Sequence, residues 1–252
     1  MINSLSEFIL EASKLQKRVR VNCVQPHDRK TMKAIESTAS SNGNFEFTLF
    51  GRLEEIKEAA SEGFLNTTRV VEGKSEEDNA SNAVSALEGD TPVVLMKGDI
   101  NTTVFLRELF KSPRVKASGR LISHISCMEV PEHPRLLFIT DGTVNVAPDL
   151  KEKAEILRNA VEFARSIGIS EPRVAVIGIN ERVSVANRDL VEGAVLSKMA
   201  ERGQFGVCLV DGPMPIDTAL KKEAALKKGI TSKVGGEADI LICSNLESAA
   251  NL

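Results

Sequence analysis

The chain has 252 residues, 42% of them hydrophobic, and a net charge of -3, so it can bury a real core as one large domain or two smaller ones. No block of Lys and Arg interleaved with aromatics gives it a basic field, which argues against a nucleic-acid partner. No apolar run approaches the roughly 18 residues of a bilayer span, and "MINSLSEFILEASKLQKRVRV" has a helix's amphipathic pattern without a signal peptide's uninterrupted apolar stretch, so no membrane partner and a cytoplasmic location are expected.

Along the chain, short β-rich apolar runs alternate with longer segments of helical period, the pattern of parallel α/β construction. "RVNCV", "FEFTLF", "TRVV" and "PVVLM" are predicted strands, separated by helices in "RKTMKAIESTASS", "RLEEIKEAASEGF" and "SEEDNASNAVSALEG". "KSPRVKASG" reads as a connector and puts a domain boundary near residue 117, giving domains over 1–117 and 118–252. After it, "GRLISHISCMEV" alternates Leu121, Ser123, Ile125 and Cys127, a half-exposed strand of antiparallel character. "LLFIT", "RVAVIGI", "GVCLV" and "ADILIC" continue the strands.

The helix after Asp149 is the best defined. Leu150, Ala154, Leu157, Val161 and Ala164 share one face, Asp149 and Glu152 have capping-box spacing, and Gly168 follows as a stop. Cys23, Cys127, Cys208 and Cys243 are scattered, without C-x-x-C pairs, and are expected to be free, mostly buried thiols. His27, His124 and His133 are equally scattered and read as structural residues.

Four segments repeat one device: "VVLMKGDINTTVFLREL", "LLFITDGTVNVAPDLKEK", "GVCLVDGPMPIDTALKK" and "ADILICSNLESAANL" each run from an apolar strand through a polar loop into a helix start. Asp-Gly and Asn, Ser or Thr serve turns and caps, which is the first explanation for any one loop. In a parallel sheet all such loops meet at the carboxyl edge, beside helix N-termini that attract anions, and four together favour a site for an anionic substrate. No G-x-x-x-x-G-K-[ST], G-x-G-x-x-G after a strand, or G-x-S-x-G is present, nor a metal-ligand spacing, so metal-free chemistry without a bound cofactor is expected.

"GRLISHISCMEVPEHPRLLFITDGTVNVAPDLKEKAEILRNAVEFARSIGISEPRVAVIGINERV" and "LSKMAERGQFGVCLVDGPMPIDTALKKEAALKKGITSKVGGEADILI" closely resemble the phosphate acetyl/butyryltransferase family, nearer its butyryl branch. "VNCVQPHDRKTMKAIESTASSNGNFEFTLFGRLEEIKEAA" and "LMKGDINTTVFLREL" are similar to the family's first domain, so the resemblance spans nearly the whole chain. It implies reversible transfer of a short-chain acyl group: acyl-CoA and phosphate give acyl phosphate and CoA. It also implies two three-layer α/β domains with mostly parallel sheets and an interdomain cleft, a fold shared with isocitrate and isopropylmalate dehydrogenases, and a homodimer or higher homo-oligomer.

The residues fit that reaction. Phosphate, with a second pKa of about 6 for its esters, is largely dianionic at neutral pH and needs positioning more than deprotonation. A thiol of pKa about 8.5 leaves without a strong acid. Charge neutralisation and alignment remain. Asn101, Thr102 and Thr103 offer N–H and hydroxyl donors, and Lys97 and Arg107 positive charge; the acetyl branch carries an arginine at about the place of Arg107. Asp141 and Asn145, with Asp211, Gly212 and Pro213, are expected on the opposite wall, the two aspartates as candidate catalytic groups. Gly235 and Gly236, after Lys233 and Val234, fall where the family has a small-residue "PVAG"-like turn, a place for close backbone approach to ligand.

Family members continue past the point corresponding to Leu252, into a "SRADS"-like segment whose Ser, Arg and Asp carry the main catalytic roles. The sequence is therefore expected to be incomplete relative to the active enzyme. An inactive relative that binds CoA or acyl phosphate, and a dehydrogenase of the same fold needing a nicotinamide site, are the other readings.

Overall fold

A computed structural model describes residues 2–41, 43–87, 93–131 and 133–252. The chain divides into two compact units, Leu10–Arg120 and Met1–Ile9 with Leu121–Leu252.

In the first unit, β1 (Val19–Val24), β2 (Phe45–Phe50), β3 (Arg69–Val71) and β4 (Val93–Lys97) form a parallel sheet in the order β3-β2-β1-β4. The period of two along β1 divides the core. Val21 and Cys23 pack with Phe47, Leu49, Met32, Ile35 and Ile56, on the side of α2 (Arg29–Ser41) and α3 (Leu53–Ala59). Val24 and Phe50 pack with Ala80, Ala83, Ile100 and Phe105, on the side of α5 (Glu76–Ser85) and α6 (Thr102–Lys111). Asn22, buried on that second side, gives its Nδ2 hydrogen to the Ala83 carbonyl at 3.1 Å, which removes the cost of burying an unpaired amide.

In the second unit, β5 (Ser126–Glu129), β6 (Leu136–Thr140), β7 (Arg173–Ile177), β8 (Leu209–Met214) and β9 (Ile240–Ile242) take the order β5-β6-β9-β7-β8, with β5 antiparallel to β6 and the others parallel. One face packs Leu136, Phe138, Val174, Val176, Ile240 and Ile242 against Leu157 and Val161 of α8 (Leu150–Ser166) and Leu196 of α9 (Arg188–Glu201). The other sets Leu137, Ile139, Ala175 and Leu241 against Ala219 of α10 (Ile216–Leu220) and Ala249 of α12 (Leu246–Ala250), with α11 (Lys222–Lys227) following α10. Ile2 and Phe8 pack on the first of these cores, which groups Met1–Ile9 with this unit; they flank and begin α1 (Leu5–Ser13).

The capping box of α8 is present on both sides, Asp149 accepting from the Glu152 N–H and Glu152 from the Asp149 N–H, each at 2.8 Å. Sequence periodicity does not disclose Lys153, buried between α8 and α9, where its ammonium meets Asp189 at 2.8 Å and Glu192 at 2.7 Å.

Several predicted elements change form. The helix expected over 52–64 is two, α3 and α4 (Glu62–Leu65), because Ala60 is extended at φ -96°, ψ 154°. The supposed connector contains α7 (Pro113–Ser118), capped by Ser112 with Pro113 in its first turn and Gly119 at φ 62° after its end, the positions these residues favour at helix ends. The boundary expected near residue 117 thus falls inside α7. Of "GRLISHISCMEV" only Ser126–Glu129 is strand, antiparallel as expected. The strand seen in "GVCLV" begins and ends later, running through Met214. The ends of "PVVLM" and "SEEDNASNAVSALEG" at Pro92 and at 88–89 lie outside the described residues.

Candidate functional site

In the first unit the chain steps from β1 to β2 to β3 in one direction and then returns to place β4 on the other side of β1. Such a reversal opens a crevice at the carboxyl ends of the two strands it separates, where open α/β sheets bind ligands. The loops there are Gln25–Asp28 and Gly98–Asn101, and they touch: the Asp99 N–H donates to the Gln25 carbonyl at 2.7 Å and the Gly98 N–H to Val24 at 2.8 Å. A Cβ at Gly98 would lie 2.3 Å from the Gln25 oxygen, so no other residue fits without moving the backbone.

Asn101 caps α6, its Oδ1 accepting from the N–H groups of Thr103 at 2.9 Å and Val104 at 3.4 Å. Thr102 and Thr103 stand exposed beside it. Lys97 Nζ donates to the Gly98 carbonyl at 3.1 Å. These residues form one group at the crevice. Arg107, farther along α6, is paired instead with Glu77 of α5 at 3.2 Å and with Glu108 at 3.4 Å. Lys111 and then Arg107 hold the Glu108 carboxyl below its ordinary range.

A cavity of about 430 Å³ opens at the same edge, lined by His27, Arg29, Glu55, Glu58, Ala59 and Asp99. His27 Nδ1 meets the Glu55 carboxylate at 2.7 Å. The polar stretch "QPHD" after β1 signals this part of the crevice, yet nothing in it reveals that β1 and β4 are neighbours.

In the second unit the helix after β6 lies on one face of the sheet and the helix after β9 on the other, while β6 and β9 are adjacent. Their carboxyl ends flank the corresponding crevice. Asp141 stands there, 3% exposed, and both its oxygens are engaged. Oδ1 accepts from the N–H groups of Thr143 and Val144, each at 2.9 Å, and Oδ2 from the His124 N–H at 3.1 Å and the Asn145 amide at 2.6 Å. Asn145 also donates to the Ile122 carbonyl at 2.9 Å. The opening of α12 closes the other side, the Leu246 N–H reaching the Val146 carbonyl at 3.1 Å.

Asp211 is not with them, which corrects the expected pairing of two loops on one wall. Asp211, Gly212 and Pro213 are residues of β8 itself. Asp211 is level with Ala175 on an edge strand, three places across from β6; at about 4.8 Å per strand that is ~14 Å. Its Oδ1 accepts from the Gly212 N–H at 2.8 Å, and it lines a different cavity of about 470 Å³ with Ser197, Cys208 and Lys233. Pro213 is tolerated on the edge because no further strand requires its missing N–H.

Gly235 and Gly236 also serve the protein's own packing. The Gly235 N–H donates to Ser232 Oγ at 3.0 Å and the Gly236 N–H to the Thr218 carbonyl at 2.8 Å. At φ 76° a Cβ on Gly236 would sit 2.5 Å from the Lys222 backbone. Gly236 thus approaches the first residue of α11 closely.

Among the described residues no three His, Cys, Asp or Glu side chains are grouped to hold a metal ion, and no helix is long and apolar enough to cross a membrane.

Comparison with known proteins gives concordant results. The sequence profile described as "Phosphate acetyl/butaryl transferase" matches residues 65–252. The phosphate butyryltransferase of Clostridium acetobutylicum is 37% identical over 98% of this chain and 82% of its own; the probable phosphate butyryltransferase of Bacillus subtilis is 32% identical over 97% and 81%. The crystal structure of a branched-chain phosphotransacylase from Enterococcus faecalis V583 has a similar fold, with a TM-score of 0.76 over 92% of this chain and 81% of that one at 23% identity.

Proposed function

The chain belongs to the phosphate acetyl/butyryltransferase family and is a phosphate acyltransferase, and from that premise we propose that it exchanges a short-chain acyl group between coenzyme A and inorganic phosphate. The observation that carries this reading is likeness to phosphate butyryltransferases over nearly the whole chain, together with two sheets whose carboxyl edges carry polar loops at reversals of strand order.

The chemistry asks for little besides placement. Phosphate attacks the thioester carbonyl, the carbonyl re-forms as the carbon–sulfur bond breaks, and the proton lost from phosphate ends on the thiol. In this reading the helix start at Asn101–Thr103, with Lys97, holds anionic oxygen through N–H, hydroxyl and ammonium donors, and Arg107 joins it after exchanging Glu77 for substrate. Asp141 and Asn145 hold the second-unit loop in shape. Asp211, Gly212, Pro213, Gly235 and Gly236 take supporting places in the fold. Coenzyme A, acyl-CoA, phosphate and acyl phosphate are the ligands, with no added cofactor; the protein acts in the cytoplasm as a homodimer or larger homo-oligomer. Its fold stands with the isocitrate and isopropylmalate dehydrogenases, which the parallel α/β construction supports.

The test is phosphate-dependent release of CoA thiol from acetyl- and butyryl-CoA without added metal. Acyl phosphate and thiol should form one for one. Equal thiol release without phosphate, or an absolute requirement for magnesium, overturns the reading.

A further inference from the structure

The four donors on Asp141 leave its carboxylate little freedom to act on a substrate, but they fix what lies opposite. Leu121 to His124 run beside the carboxyl end of β6 and are held at several points: Asn159 donates to the Leu121 carbonyl at 2.8 Å and to Ser123 Oγ at 2.9 Å, Asn145 to the Ile122 carbonyl at 2.9 Å, and Asp141 accepts from the His124 N–H at 3.1 Å. This fixed backbone carries the half-buried His124, whose ring Nδ1 is buried and, among the described residues, without a hydrogen-bond partner.

Buried polar atoms without partners are rare enough to call for a reason. His27 and His133 also leave one nitrogen unpaired, but His27 has Glu55 on the other, and His133 precedes β6, at the opposite end of the strands. His124 combines an unpaired ring nitrogen, Nδ1, with a place at the second-unit crevice.

We infer that His124 is a substrate-binding residue: its imidazole N–H donates to a phosphoryl oxygen, and Asp141 and Asn145 are positioning residues that set its backbone. The ligand is inorganic phosphate or a phosphate of coenzyme A, which share that acceptor chemistry. The inference rests on the acyl-transfer reading and adds to it a contact in the second unit. An imidazole carries at least one N–H in either protonation state, so it can donate to a phosphoryl oxygen.

Two measurements test it on the full chain. The first is the His124 Cε1–H resonance, identified by its loss in His124→Ala, followed during separate titrations with inorganic phosphate and with CoA. It should move saturably with one of them, and that arm names the source; no movement with either overturns the inference. The second is steady-state kinetics. His124→Ala should raise KM for the same ligand at least about tenfold, the scale of a lost charge-assisted hydrogen bond, with an unchanged melting temperature, and His124→Asn, which keeps an N–H donor, should recover most of it. An unchanged KM, or a loss that tracks a fallen melting temperature and is not recovered by Asn, also overturns it. If the wild-type chain releases no thiol from any acyl-CoA, the acyl-transfer reading fails, and the resonance still decides whether His124 binds phosphoryl oxygen.

Discussion

The His124 N–H donates to the Asp141 carboxylate at 3.1 Å across 17 positions of sequence, and with three further donors on the same side chain it ties the segment entering the second unit to the end of β6. Asp141→Asn keeps the shape but offers one acceptor oxygen and turns an amide NH₂ toward two donors. Each donor left unpaired in a buried site costs about 1–3 kcal/mol, so with two such donors the variant should lose about 2–6 kcal/mol. At about 2–4 °C per kcal/mol for a chain of this size, thermal unfolding should shift down by at least about 4 °C and by as much as about 20 °C. Asp211→Asn disturbs a single local bond from Gly212 and should shift it far less. Equal shifts would mean that the Asp141 network carries no special share of stability.

Arg107 gives a prediction of the opposite kind. Its pair with Glu77 is half exposed on both sides, and exposed pairs contribute little to stability. Arg107→Ala should therefore leave unfolding unchanged but raise the KM for phosphate by about tenfold or more if the guanidinium serves the substrate. Glu77→Gln should lower that KM, because it removes the competitor. Unchanged kinetics in both variants would leave Arg107 as an ordinary helix-face residue.

Much of the fold was legible because local signals agreed with one another. Helix α2 over Arg29–Ser41 and strand β6 over Leu136–Thr140 coincide with their predicted spans, and Asp149 and Glu152 announce the start of α8. What could not be read depends on neighbours distant in sequence. "VDGP" looks like a loop because Gly and Pro end most strands, yet β8 is an edge strand and accommodates both. Lys153 looks like a solvated helix residue until Asp189 and Glu192 arrive from α9. At the candidate site, Asn101–Thr103 were visible as a helix start, whereas the crevice beside Gln25–Asp28 follows from strand order, and the place of His124 follows from a hydrogen bond to Asp141.

The cysteines set an alkaline limit. Burial pushes the thiols of Cys23 and Cys243 up to about 12 from an ordinary 9.0. Below pH 9 both folded and unfolded chains hold these protons and nothing is lost. Above it the unfolded chain ionises while the folded chain cannot, so stability falls as pH rises from about 9 toward 12, by about 1.4 kcal/mol per unit for each thiol. The urea midpoint should drop across this window, and a Cys23→Ala, Cys243→Ala chain should show a shallower drop. Neither thiol should react with iodoacetamide at pH 8 in the folded protein. Rapid labelling of Cys23 or Cys243 there would contradict their burial.

Gly235 and Gly236 stand side by side and should answer differently to the same methyl group. Gly236 has φ 76°, and a Cβ there would lie 2.5 Å from the Lys222 backbone; positive φ costs an L-residue roughly 1–3 kcal/mol, and the backbone it would strike belongs to a helix that cannot turn aside. Gly236→Ala should therefore lower stability by about 2–4 kcal/mol and carry activity down with it. At Gly235 the nearest atoms are the Ala225 and Ser232 Cβ atoms at 3.3 and 3.4 Å, so movements of a few tenths of an ångström make room and Gly235→Ala should cost under about 1 kcal/mol. Its kinetics then separate two roles that stability cannot. If the backbone at Gly235 approaches substrate, Gly235→Ala reduces kcat/KM while the melting temperature holds. If both stay near wild type, this turn serves only to seat Val234 and Ala238 in the core, and the resemblance to a ligand-approaching turn ends at its sequence.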